Sequence, residues 1–205
     1  MVRGERRRVA PGRRARGGRA MKRRTAGAAS LVLGMVCGGA GCGAATGLDG
    51  DLYRGDGFAF RVRPPDLVDP SWKRIDHSHA LAYRHEPHQS TIMVHARCDV
   101  PSDDVPLMAL KNHLFLQFTE REVHAEEVVP FDGREALHTE LTASLDGVPM
   151  RYDVWVLKKD GCVYDLLYAA PPERFGAGRG SFRALVDGFA TVATEAPAGG
   201  FSGGG

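Results

Sequence analysis

Histidine is concentrated in one stretch of this chain. Of its eight histidines, His77, His79, His85, His88 and His95 fall within 19 residues. If the chain reverses about Pro87-His88, His79 comes opposite His95 and His77 comes near Cys98. The spacing His77-Ser78-His79 puts two imidazoles on one face of an extended segment. Imidazole nitrogens suit Zn²⁺ or Cu²⁺, so His77, His79 and His95 form a candidate metal set, with reduced Cys98 as a fourth ligand. The same residues read equally as exposed loop and strand histidines, because no second cluster of Cys or carboxylates completes a familiar ligand spacing. Cys98 has a competing use. With Cys162 it would form a disulfide closing 63 intervening residues, and a bridged sulfur binds no metal.

Two common catalytic motifs are absent: there is no G-x-x-x-x-G-K-[ST] loop and no H-E-x-x-H helix. Ser144 and Ser181 could be grouped with scattered Asp and His, but any exported protein of this size offers such a set. Asp132-Gly133 and Asp146-Gly147 are turn residues before they are carboxylate sites. Trp72, Trp155 and the apolar stripe 107–118 read as packing residues. The expectation is a protein that is not an enzyme.

The elements that must position these residues follow from periodicity. Phe58, Phe60 and Val62 alternate with Ala59, Arg61 and Arg63 until Pro64-Pro65 stop the strand. Residues 80–85 and 91–96 flank a turn at 86–89 and predict a hairpin. Ser102-Asp103-Asp104 with Pro106 open a helix whose stripe is Leu107, Leu110, Leu114 and Phe118, widened by Met108 and Phe115. Strands follow at 122–129, 134–143, 148–158 and 162–170, the last three joined by Asp146-Gly147 and Asp160-Gly161, which supply the positive φ of tight hairpins. After a glycine-rich break at 176–180, Phe182, Leu185, Val186 and Phe189 predict a second helix. The fold class is α+β: an antiparallel sheet of about six to seven strands flanked by helices.

Charge is segregated along the 205 residues. The formal net charge is +2, yet residues 1–41 hold 11 basic residues against Glu5 alone, and the rest of the chain carries −8. An acidic domain argues against nucleic acid as a partner. Residues 1–20, dominated by Arg, Gly and Pro, have no face to bury and read as a disordered basic extension or a misassigned start, with Met21 as the alternative initiator. Lys22-Arg23-Arg24 precede an uncharged stretch at 25–41 that is built like an export signal, its apolar centre at 28–36 too short to span a bilayer. It ends in Gly39-Ala40-Gly41-Cys42. This resembles the lipobox of bacterial lipoproteins, which implies cleavage before Cys42 and lipidation of that residue. A plain signal peptide cut near Ala44-Ala45 is the alternative. Gly43 after Cys42 implies, by the same resemblance, the outer membrane and a domain facing the periplasm.

The expected organisation is therefore a signal peptide at 21–41, lipidated Cys42 and a tether to 51, a domain at 52–193 and a flexible tail at 194–205. Within 52–193, Phe58-Ala59-Phe60, Pro64-Pro65 and Trp72 lead into a hairpin, a helix, a four-strand meander and a closing helix. With Cys162-Val163-Tyr164-Asp165-Leu166-Leu167-Tyr168 followed by Phe182, Leu185 and Phe189, this resembles the PsbP-like fold of photosystem extrinsic proteins and small bacterial lipoproteins. The resemblance implies an α/β/α sandwich and an accessory role, binding an envelope protein or a small ligand at a membrane surface. The alternative is a periplasmic Zn or Cu protein built on His77, His79 and His95.

Overall fold

In the computed structural model, residues 46–75, 77, 80–98 and 104–194 are described. In chain order the strands are β1 (Gly47–Asp49), β2 (Leu52–Arg54), β3 (Ala59–Arg61), β4 (Lys73–Ile75), β5 (Ala80–His85) and β6 (Ser90–Cys98). Helix α1 (Leu107–Leu114) precedes β7 (Thr119–Phe131), β8 (Arg134–Leu145), β9 (Val148–Lys159) and β10 (Cys162–Ala170), and α2 (Phe175–Asp187) leads to β11 (Ala190–Val192). The helices and strands expected from the sequence occur in the expected order, with β1, β2, β4 and β11 in addition.

Three Asp-Gly pairs explain the meander. Asp132, Asp146 and Asp160 have φ of 49°, 52° and 54°, and the glycine after each is also left-handed. This is the backbone of two-residue hairpins whose twist matches that of the flanking strands. The result is a seven-stranded antiparallel sheet in the order β4-β5-β6-β10-β9-β8-β7, beside a four-stranded sheet ordered β1-β2-β3-β11.

Both faces of the large sheet are covered. Tyr164, Leu166 and Tyr168 of β10 point to one side, where they meet Phe182 and Leu185 of α2 and Phe60 of β3 in a single buried cluster. Aromatic rings knit the small sheet to the large one: Phe60 lies edge-on to Tyr164 at 6.3 Å and near Phe189 at 5.5 Å. Trp72 and Trp155 are buried in this cluster, as expected. Leu141, Tyr152, Val154 and Val163 face the other side, where Phe115 and Phe118 pack edge-on against Tyr152. Burial of these aromatic and branched side chains, each stabilising by roughly 1.5–3 kcal/mol, drives the assembly.

The structure corrects several expectations. The glycine-rich segment is helical: α2 starts at Phe175 and runs through Gly176, Gly178 and Gly180. Packing outweighs helix propensity here, since a Cβ on Gly178 would lie 2.7 Å from the Tyr168 hydroxyl and 3.1 Å from the Trp72 ring. Helix α1 ends at Leu114, so Phe115 and Phe118 belong to the turns after it, and Met108 is exposed. Its one buried residue is Lys111, which pairs with Glu126 at 2.8 Å. Residues 47–49, expected within the tether, pair with β2 as β1. Strands β2, β4 and β11 fall outside the predicted set, because three residues are too short to show a period. The signal segment, Cys42 and residues 195–205 of the tail lie outside the described residues.

Candidate functional site

The predicted disulfide is present. Cys98 and Cys162 are register partners on β6 and β10 with Cα atoms 4.1 Å apart, and their sulfurs are bonded. Cys98 is therefore unavailable as a metal ligand in this form.

The histidines of the 77–95 stretch are divided by the pleat. His85 faces the aromatic core beside Trp72, is almost fully buried, and stacks on His88 with ring centroids 4.2 Å apart. The His88 backbone N–H donates to its Nδ1 at 3.2 Å, so Nε2 carries the proton that reaches Asp69 Oδ2 at 3.2 Å. Asp69 is held below the usual carboxylate range, chiefly by the Ser71 backbone N–H and also by His85. His85 thus fastens the β5–β6 turn. His95 lies on the opposite face, with Nδ1 3.8 Å from Asp165 Oδ2. Arg97 donates to the same oxygen at 2.7 Å. Asp165 is buried and its other oxygen has no partner among the described residues. His77 sits on the lining of a cleft described below. His79 lies outside the described residues.

A different group comes together on the α2 side of β8 and β9. Glu140 and Asp153 are register partners, with His138 and Arg151 two residues away on their own strands. His138 Nε2 is 2.9 Å from Asp153 Oδ1, which also accepts the Trp155 indole N–H at 3.1 Å. The His138 ring stacks on Trp155 at 4.4 Å. Glu140 accepts from Arg151 at 3.1 Å and from Arg179 of α2, whose Nε is also 3.7 Å from Asp153 Oδ2. The Arg151 and Arg179 guanidinium groups lie over the Phe175 ring at 4.7 and 5.7 Å.

Ligand-type atoms of His138, Glu140 and Asp153 lie within 4.8 Å of one another, the one such trio among the described residues. Two carboxylates against two guanidinium groups leave the cluster electrically balanced, and a cation would have to displace both arginines. Its chemistry is that of a clamp fixing α2 on the sheet. Sequence reasoning passed over Glu140, Arg151 and Asp153. The available signal was the alternate placement of His138 and Glu140 on β8 and of Arg151 and Asp153 on β9, but the pairing needs the register.

One concave surface lies where the β1–β2 ribbon meets β4 and β5. A cleft of about 490 Å³ there is lined by residues that include Leu48, Asp49, Arg54, Arg74, Ile75 and His77, with Thr46 and Tyr53. A neighbouring hollow shares Leu48 and Arg74 with it and reaches Leu67 and Tyr83. Burial pushes the Tyr83 hydroxyl well above its ordinary pKa; Asp66 adds to this and Arg74 opposes it. Among the described residues, neither Arg54 nor Arg74 makes an ion pair or a side-chain hydrogen bond.

No protein-family model matches this chain, and no curated protein matches it. Solved structures are similar in fold. One is cyanobacterial PsbP from Synechocystis sp. PCC 6803, at 15% identity and a TM-score of 0.48, covering 74% of this chain and 99% of that one. Another is LpqN of Mycobacterium tuberculosis, involved in cell envelope biogenesis, at 13% identity and a TM-score of 0.47, covering 65% of this chain and 83% of that one. PA94 from Pseudomonas aeruginosa is similar at 11% identity and a TM-score of 0.44, covering 64% and 90%. The fold class here is an α+β sandwich, set by the chain's own topology.

Proposed function

We propose that this chain is a lipid-anchored, non-catalytic binding domain of the cell envelope, held at the membrane by Cys42 and facing the periplasm from the outer membrane. The observation that carries the reading is the Cys98–Cys162 bridge. A structural disulfide belongs to an oxidising compartment, which agrees with the export-type segment at 21–41 and the Cys that ends it. No helix among the described residues is long and apolar enough to cross a membrane. The acyl-modified Cys42 supplies the attachment in this reading. Confinement to a surface raises the local concentration of the domain toward anything else held there. The open Arg54–Arg74 cleft is the binding element.

Fractionation of cells expressing the wild-type chain and Cys42→Ser tests this. The wild type is expected in the outer-membrane fraction and the variant away from membranes. Identical membrane retention of both would overturn the anchor.

A further inference from the structure

We propose that the cleft between the β1–β2 ribbon and β4–β5 binds an anionic phospholipid, its phosphate held by Arg54 and Arg74 and its first acyl segment laid against Leu48 and Ile75. The proposal rests on the anchored reading and deepens it.

Three observations carry it. The first is charge. On a domain whose overall balance is acidic, this cleft presents two guanidinium groups without ion-pair partners among the described residues, and Asp49 is the one carboxylate among its described lining residues. A planar guanidinium pairs with phosphate through two parallel N–H donors, which is stronger and more directional than an ammonium contact.

The second is apolar exposure. Ile75, on the cleft lining, is 45% exposed, and Leu67, in the hollow that shares Leu48 and Arg74 and also holds Asp51 and Asp66, is 73% exposed. Large aliphatic side chains side by side with unpaired cations make an amphipathic surface. The matching chemistry is a molecule with an anionic head and a hydrocarbon body.

The third is reach. Thr46, on the cleft lining, is four residues from Cys42. At most about 3.6 Å per residue, the chain cannot carry the cleft more than about 14 Å from an acylated Cys42. That distance keeps it in the headgroup region, where anionic phospholipid is concentrated and where each cation near the surface is favoured.

Titration calorimetry on the 42–205 chain, which contains the whole described core, tests the proposal. It is made with Cys42→Ser so that no acyl chain of its own competes. Three probes are used below micelle concentration: a short-chain phosphatidylglycerol, the phosphatidylcholine of the same chains, and inorganic phosphate. The expected result is saturable one-to-one binding of phosphatidylglycerol, about tenfold tighter than phosphatidylcholine. Inorganic phosphate should be weaker still. Arg54→Gln with Arg74→Gln should abolish the preference at an unchanged melting temperature, which shows that the variant is folded. Equal affinity for the two lipids, phosphate binding as tight as phosphatidylglycerol, or an unaffected double variant would each overturn it. Because the probe protein is unlipidated, these outcomes are independent of whether Cys42 is modified in cells.

Discussion

Reducing the Cys98–Cys162 bridge perturbs a defined part of the domain. The two residues face each other across β6 and β10, the central pair of the large sheet, with a sequence separation of 64. In the chain-entropy treatment a loop of that length lowers the entropy of the unfolded chain enough to stabilise the fold by about 4 kcal/mol at 25 °C. For about 150 ordered residues, each kcal/mol moves the melting temperature by roughly 2–4 °C, so reduction should lower it by about 8–16 °C. The native far-UV spectrum at 25 °C should survive, because β6 and β10 remain paired from Arg97 and Val163 to Thr91 and Ala169 without the bridge. The assay is thermal unfolding followed by circular dichroism, with and without a phosphine reductant, repeated on Cys98→Ala with Cys162→Ala. Two alkylatable thiols in unreduced native protein, or a shift under about 2 °C on reduction, would refute the reasoning.

Three further perturbations separate the packing, pH and electrostatic arguments. Gly178→Ala forces a Cβ onto Tyr168 and Trp72 and should cost about 1–3 kcal/mol, whereas Gly176→Ala and Gly180→Ala meet nothing within 4 Å and should each stabilise by about 0.5–1 kcal/mol in urea melts. Asp132 ties the β7–β8 turn to β11: its Oδ2 accepts the Thr191 backbone N–H at 2.9 Å and hydroxyl at 2.8 Å and lies 3.0 Å from Lys159 Nζ. Burial alone would raise its pKa, but these partners outweigh it and leave the pKa lowered. The stabilisation is therefore present above the ordinary carboxylate value of about 4 and lost as pH falls through the lower folded value. Asp132→Ala should cost about 1–3 kcal/mol at neutral pH, with the gap to wild type closing on acidification in urea melts. Glu140→Gln weakens the joint partner of Arg151 and Arg179 and should cost about 1–3 kcal/mol. The exposed Glu173→Gln should stay within about 0.5 kcal/mol by the same measurement.

The sequence shows most clearly what is locally encoded. Asp146-Gly147 and Asp160-Gly161 announce their hairpins because few residue pairs tolerate two left-handed conformations in succession. Phe58, Phe60 and Val62 announce the inner face of β3 by alternation, although Ala59 proves buried too. The three-residue strands are too short to show a period, and other misreadings involve non-local packing. Gly176, Gly178 and Gly180 look like a break until Tyr168 and Trp72 are seen filling the space a Cβ would take. His95 is expected opposite His79 until the β5–β6 register pairs it with Ala80. Glu140 and Asp153 look like unrelated acids until the β8–β9 register sets them side by side. The cleft is the extreme case, since β1, β2 and β4 are three-residue strands that have meaning only once paired.

The most direct test of the anchored reading is the intact mass of the mature protein extracted from membranes, measured reduced and unreduced. The account predicts a chain beginning at Cys42 with the added mass of acyl groups, and a gain of about two daltons on reduction as the Cys98–Cys162 bridge opens. A mass that begins beyond residue 42 and carries no lipid would contradict it.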